Sequence, residues 1–522
     1  MEPDTQKVKE KKPLLSHVAR SSLLLAVFFT LDKLFGVLRQ VVIGRQFGVS
    51  TDLDVFNAAN NLPDLLFAAI SGGALAVAFI PVLSETLDRS GREYLWSLFS
   101  RVANWAFLIT AFISIILAVF ANQIVQAEAG IVPGFNQEMQ NLVADLMRLN
   151  LIATLIFSLS GLVSAGLQAN QHFLLPALAP VLFDIGQIFG ALVLAPAEGY
   201  QIGTFTLPAF GLGIHGLVYG VILGSVLHLV IQVPGLIRFK FRWTPSLQVR
   251  YPGVLRVARL FAPRILTIGA FQLIFVVQDN LASRLDTGSI TALAYGWLIM
   301  QVPETIFGTA IGTAIHPTLS EHFARKDDQS FAASVQRAIQ TILALTIPSA
   351  VLMSVTIRPL VGAVFGFDAY GTTLVVHAAW AYLLGLIGHS LLEIAARAFY
   401  ARQNARIPLL GRGIGTVIFI LSGILLYRWM GAAGIALSNS LAFTLETALL
   451  LYLLSRSHPT ILQQGKPLIR IIGGTVLGAG VSLLVGSLVS FSPLISGSAA
   501  LAAGALVVIP FLLPELRQLR SL

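Results

Sequence analysis

The chain has 522 residues, 56% of them hydrophobic and only 11% charged, with a mean hydropathy of +0.80. Soluble domains carry roughly 25% charged residues, so a soluble protein is excluded, and disordered chains are poor in apolar residues, so disorder is excluded too. The absence of cysteine removes disulfides, thiolate zinc sites and thiol catalysis, and the net charge of +9 fits the Lys and Arg of cytoplasmic loops better than nucleic-acid binding.

Residues 1–17 form a polar tail with Lys7, Lys9, Lys11 and Lys12, and no short apolar run with a cleavage site follows it. A spanning helix needs about 20 mainly apolar residues, and about fourteen windows qualify. They lie near 18–46, 53–83, 97–126, 142–166, 174–195, 208–236, 260–285, 290–318, 335–357, 371–399, 408–428, 432–455, 468–489 and 494–514. Alternate connections are basic: Arg89 and Arg92, the stretch Arg238 to Arg259, Arg325 and Lys326, Arg402 and Arg406, Arg456 and Lys466, then Arg517 and Arg520. The others hold Glu128, Glu138, Asp145, Glu198, Asp286 and Asp368. This asymmetry places both termini in the cytoplasm and requires an even number of spans.

Two echoes divide the chain. Pro81-Val-Leu-Ser-Glu85 recurs as Pro317-Thr-Leu-Ser-Glu321, and Ala169-Asn-Gln-His172 with Pro176 recurs as Ala401-Arg-Gln-Asn404 with Pro408. Both equate spans 1–6 with spans 7–12, giving halves of the same orientation with a substrate path between them. The expected organisation is a tail (1–17), a first lobe (18–236), a basic connector (237–259), a second lobe (260–455), and a last unit with spans 13 and 14 and a cytoplasmic end (456–522).

Charge inside a span costs about 2.5–3.5 kcal/mol per residue on the insertion scale, so it should face a partner or a wet cavity. In span 1, Asp32, Gly36 and Arg39 share one helical face, with Lys33 one step round. They form either a self-neutralising group or a cation held for an anionic substrate. Asp54, Asn57 and Asn61 make a polar stripe on span 2 that bonds to Arg39 or lines the cavity, and Pro63 should bend that helix. Ser71-Gly72-Gly73-Ala74 permits close packing or a hinge. On span 8, Gln301, Glu304, Thr305, Gly308 and Gly312 cluster, the two glycines in a small-residue packing pattern. Asp279 on span 7 is an ion or proton site, or the structural partner of Arg284 or a neighbouring span. Asp184 and Gln187 read as interhelical hydrogen-bond partners. No nucleophile elbow, P-loop or metal-ligand spacing occurs, which points to a transporter without its own nucleotide engine.

The ordered set Gly36-Val-Leu-Arg39, Gly44-Arg-Gln-Phe-Gly48, Asp54, Asn61-Leu-Pro63-Asp-Leu-Leu66 and Ala78-Phe-Ile-Pro81 resembles the first two spans of the MurJ (MviN) family of lipid II flippases. The likeness continues through Asp279, Gly288-Ser-Ile-Thr-Ala-Leu-Ala-Tyr295, Pro303, Ile311-Gly-Thr313 and Pro317-Thr-Leu-Ser320. It also takes in Pro176-Ala-Leu-Ala-Pro180 and Phe399-Tyr-Ala-Arg-Gln403, so it covers both lobes in order. It implies an all-α fold of the multidrug/oligosaccharidyl-lipid/polysaccharide exporter superfamily: a V of two six-helix lobes plus two C-terminal helices grooved for the lipid tail. The implied activity is flipping undecaprenyl-diphosphate-linked peptidoglycan precursor from the inner to the outer leaflet, with a cationic cavity for the headgroup. Arg39 matches a cavity arginine of the family, Lys33 sits where the family often has arginine, and Asp54 matches a family acid. Two further family arginines fall at Phe67 and Leu298, and a glutamate at Gly72.

The expectation is therefore a divergent family member, a non-enzymatic exporter in the bacterial plasma membrane. Lys33, Arg39, Asp54, Asn57 and Asn61 would contact substrate. Gly36, Pro63, Gly72, Gly73, Gly308 and Gly312 would serve packing or gating, and Asp279 an ion. No cofactor is expected, and the drive would be membrane potential or a Na+ or H+ gradient. Expected partners are the lipid-linked saccharide, membrane lipids and cell-wall synthesis enzymes, with no nucleic acid. The rivals are an exporter of another polyprenyl-linked oligosaccharide, a small-molecule or cation antiporter of the same superfamily, and a non-transporting scaffold.

Overall fold

The computed structural model describes residues 17–70, 74–251, 253–463, 465–489 and 491–518. It is helical almost throughout. The first half comprises α1 (His17–Phe47), α2 (Thr51–Ile70), α3 (Ala74–Ser90), α4 (Arg92–Val119), α5 (Ala121–Gln126), α6 (Gln137–Ala169), α7 (Leu174–Phe189), α8 (Gly213–Val230) and α9 (Val233–Arg238). The second comprises α10 (Val254–Ala282), α11 (Ser289–Pro303), α12 (Ala310–Ala324), α13 (Asp328–Phe365), α14 (Ala369–Ala401) and α15 (Arg406–Ser457). Two helices, α16 (Gly465–Leu488) and α17 (Pro493–Gln518), end the chain. Among the described residues ten helices are long and apolar enough to cross a membrane. The large exposed side chains Phe112 and Ile115 on α4, Leu421 and Leu425 on α15, and Ile469 and Val476 on α16 suit a hydrocarbon surround.

Local chemistry sets the ends of these helices. Asn136, Asp327 and Asp368 accept hydrogen bonds from the backbone N–H groups of Met139, Ser330 and Gly371, capping α6, α13 and α14. Pro303 lacks the donor for the helical ladder, and the turn after it, Glu304–Thr309, is π-helical before α12 resumes. The element α15 runs through two expected windows, and Gly431 breaks it with φ 58° and ψ −138°. A two-residue hairpin, β1 (Gln201–Ile202) paired with β2 (Phe205–Thr206), fills the loop before α8, where no strand is expected from the sequence.

Packing relies on glycine where helices approach closely. A Cβ on Gly186 of α7 would lie 2.3 Å from the Cα of Gly224 on α8, and one on Gly190 would lie 2.7 Å from the Cα of Gly220. Neither contact is tolerable without moving backbone, so these glycines set the α7–α8 spacing. A Cβ on Gly308 would lie 2.8 Å from the Cα of Ser390 on α14, and one on Gly312 would lie 2.9 Å from the side chain of Arg397. The expected packing pattern on span 8 thus lies against α14. Gly72 and Gly73 fall outside the described residues.

The first helix of the second half starts earlier than the expected window. Helix α10 begins at Val254, inside the expected connector, because Val254 and Val257 are buried in the core of the first half with Leu98 and Phe99. Its far end belongs to the larger core that joins both halves. The last two helices pack on α13 through Ala344, Leu352, Ile471, Val508 and Leu512. Arg470 and Glu515, which bound the charge-free C-terminal stretch in sequence, form an ion pair.

Candidate substrate chamber

The two halves meet at the end of the bundle that carries the acidic connections. Asp54 is 1% exposed and accepts three hydrogen bonds from the start of α11: Gly288 N–H (2.6 Å), Thr291 N–H (2.7 Å) and the Thr291 hydroxyl (2.6 Å). The N-terminal amides of a helix have no partner of their own and carry partial positive charge. A carboxylate from the opposite half therefore serves as their cap. The Tyr295 hydroxyl donates to the Gln40 carbonyl (2.9 Å), Arg45 to the carbonyls of Ala363 and Val364 (both 2.9 Å), and Arg284 pairs with Glu128 (2.7 Å). At the basic end Arg256 pairs with Glu85 at 2.5 Å.

Behind the acidic-end seal lies a cavity of about 620 Å³ between the halves. Among the described residues its charged lining is Arg39, Asp64 and Asp279, and its uncharged polar lining is dominated by carboxamides: Gln40, Asn57, Asn60, Asn61, Asn150, Gln187, Gln272 and Gln278. Phe67, Phe157, Phe183, Phe275 and Trp297 supply apolar wall. A second cavity of about 400 Å³ adjoins it, sharing Arg39, Gln40, Pro180 and Phe183, and runs out between α1 and the π-helical turn. The exposed side chains of Val37, Val302 and Ile306 belong to its lining.

Arg39 stands between the two cavities. One guanidinium nitrogen is 2.8 Å from Asp184 on α7, and the group lies 5.8 Å from the Phe183 ring centre. Its Nε is buried without a partner. At Gly36, a turn earlier on α1, a Cβ would sit 3.7 Å from the Asp184 carboxylate, an ordinary contact distance. The expected partnership of Asp184 is thus with Arg39, whereas Gln187 lines the chamber.

The other expected site residues scatter. Lys33 is 75% exposed, lies 3.8 Å from Asp32 and lines the lateral cavity rather than the chamber. Asp54 does not line the chamber, since its carboxylate is consumed by the α11 cap. Asn57 does, with its Nδ2 buried and unpartnered. Asn61 donates to Asp279 (2.8 Å) and to the Phe275 carbonyl (3.2 Å), tying α2 to α10. Asp279 therefore pairs with Asn61, while Arg284 pairs with Glu128. Pro63 lines the chamber, its carbonyl 3.5 Å from the Thr154 hydroxyl.

Among the described residues one guanidinium, that of Arg39, faces the chamber with two carboxylates, those of Asp64 and Asp279. Phe67, where a family arginine would fall, packs its ring 4.9 Å from Phe157, and Leu298 lines the lateral cavity. Sequence reasoning missed Asp64 and the breadth of the amide lining. The signal for Asp64 is the helical period itself: Asn57, Asn60, Asn61 and Asp64 follow i, i+3, i+4, i+7 on α2. Glu304 of the expected span 8 cluster lies beside Thr309 (3.1 Å), and the ion pairs Glu393–Arg397 (2.6 Å) and Arg412–Glu446 (3.5 Å) in the same half were missed.

Comparison with known proteins places this architecture. The family model described as lipid II flippase MurJ matches residues 43–499. The lipid II flippase MurJ of Burkholderia cenocepacia is 30% identical over 444 residues, covering 83% of this chain and 82% of that protein. A probable lipid II flippase MurJ of Thermotoga maritima is 26% identical over 468 residues, 89% of each. Among solved structures, a lipid II flippase MurJ in an inward closed conformation superposes with a TM-score of 0.77 at 23% identity, covering 95% of this chain and 99% of that one. An inward-facing multidrug resistance transporter of the MATE family, in the MOP superfamily, gives 0.66 at 12% identity over 83% and 96%. These structural likenesses concern the fold.

Proposed function

Because the chain belongs to the lipid II flippase MurJ family, we propose that it carries undecaprenyl-diphosphate-linked peptidoglycan precursor across the bacterial plasma membrane by alternating access of its two halves. The basic end faces the cytoplasm with both termini, as the distribution of Lys and Arg requires. The observation that carries the reading is the pairing of a polar chamber, sealed at its acidic end, with a lateral cavity beside Arg39 whose lining includes the exposed apolar side chains Val37, Val302 and Ile306.

The headgroup enters from the side while the polyprenyl chain stays in the bilayer. Arg39 offers the diphosphate its free guanidinium edge, a geometry in which arginine surpasses lysine. The carboxamides of α2 and α10 offer donors and acceptors to sugar hydroxyls and peptide amides. Release requires the acidic-end contacts to part: the Asp54 cap, the Tyr295–Gln40 bond and the Arg284–Glu128 pair. Rigid-body rocking of one half against the other accomplishes this. The drive is membrane potential or a Na+ or H+ gradient. Asp279 is the group through which a bound cation would act, since occupying its carboxylate competes with the Asn61 bond that links the halves. Association with cell-wall synthesis enzymes would deliver substrate and remove product.

The deciding experiment is complementation of a bacterial strain depleted of its lipid II flippase. Growth with the native chain and lysis with Arg39→Ala at equal membrane abundance supports the proposal. Lysis with a well-expressed native chain refutes it for this lipid.

A further inference from the structure

The chamber's charge balance reads beyond the diphosphate. Its only guanidinium among the described residues is already shared with Asp184, yet two carboxylates face the same space. Asp279 is held by Asn61. Asp64 is exposed into the chamber, within electrostatic reach of Arg39, and has no hydrogen-bond or ion-pair partner among the described residues. A carboxylate at membrane depth without a partner is costly, and such groups mark substrate or ion pathways.

A second feature points to a ligand in the same place. Asn150 on α6 is 2% exposed and lines the chamber, and both its amide nitrogen and its amide oxygen are unpartnered. Buried amides are ordinarily satisfied, so a wholly unused one facing a cavity is a place kept for a polar ligand. Thr154, one turn along α6, touches the Pro63 carbonyl, which sets this face of α6 beside the Pro63-Asp64 turn. A carboxylate that only accepts, next to an amide that donates and accepts, suits a primary ammonium group and its neighbouring carbonyl.

We propose that Asp64, with Asn150, binds a protonated primary amine on the headgroup of the lipid-linked substrate, so that the protein selects glycan-peptide headgroups with a free amine over those in which it is capped. The inference rests on the flippase reading and narrows its substrate class. A charge-assisted contact in a partly wet cavity discriminates by about tenfold.

The test uses the full-length protein in lipid nanodiscs and two ligands, a polyprenyl-diphosphate disaccharide-peptide with a free side-chain amine and the same lipid N-acetylated at that amine. Binding is measured for the native chain and for Asp64→Asn. The expected result is binding of the free-amine form about tenfold tighter by the native chain, with equal binding of both forms by the variant. Equal, tight binding of both forms by the native chain overturns the amine site while leaving the flippase reading intact. Discrimination that persists in Asp64→Asn overturns the role of Asp64. Because acetylation alters only the ligand, the native-chain comparison stands even if the variant fails to fold. Binding of neither form removes the flippase reading and this one together.

Discussion

At the scale of single residues, Arg39 has two duties that a simple alanine substitution confounds. It faces both cavities, and it neutralises Asp184, whose side chain is 5% exposed. Removing one partner of a buried pair typically costs about 3–5 kcal/mol, because the survivor is left charged and dry. Arg39→Ala should therefore lower the melting temperature in detergent. The double variant Arg39→Ala/Asp184→Asn should recover most of that loss and still fail to support growth of a flippase-depleted strain. Recovery of growth by the double variant would make Arg39 a structural residue only. Arg39→Lys should retain the charge but transport poorly, since an ammonium cannot bridge Asp184 and a phosphate in the same plane.

At the scale of elements, the α11 cap and the α7–α8 contact make separate predictions. The carboxylate of Asp54 serves two backbone amides and one hydroxyl of α11. Asp54→Ala leaves them unsatisfied, at a cost of about 1–3 kcal/mol. Hydrogen–deuterium exchange should then accelerate in the first turn of α11 and spare α14. Unchanged exchange there would mean the cap is not what holds the two halves at this end. At the other contact, Gly220→Ala places a Cβ 2.7 Å from the Cα of Gly190. Overpacking of this kind costs about 1–3 kcal/mol and should appear as a lower melting temperature. Gly480→Ala on α16 is the control, because nothing lies within 4 Å of its Cβ position.

At the scale of the whole molecule, the seal at the acidic end must open once per cycle if the halves alternate. Val49 of the first half lies against Gly371 at the start of α14; a Cβ on Gly371 would be 2.8 Å from that of Val49. The chain lacks cysteine, so Val49→Cys/Gly371→Cys introduces the only two thiols. A disulfide needs a Cβ separation of about 3.8 Å, which a small shift of one side supplies. Oxidation should cross-link the pair and stop headgroup accessibility from changing sides in proteoliposomes, and reductant should restore it. Undiminished transport by the fully cross-linked protein would exclude opening at this end.

The sequence by itself determined the membrane class, the all-helical fold and the family, because apolar length, charge spacing along the chain and ordered short motifs are properties of the chain read linearly. It also determined which residues are polar at membrane depth: Arg39, Asp54, Asn57, Asn61 and Asp279 were all visible as exceptions in apolar runs. Only the tertiary structure decided what those exceptions touch. Asp54 and Asn61 share a face of α2, yet one caps α11 and the other holds Asp279, because the opposite half presents a helix end to the first and a carboxylate to the second. Lys33 and Arg39 are six residues apart on one helix and both line the lateral cavity, yet Arg39 pairs directly with Asp184 of α7 while Lys33 stays beside Asp32 of its own helix. The charge of the chamber is a sum over residues far apart in sequence, and that sum takes its sign from which side chains turn inward when the two halves pack.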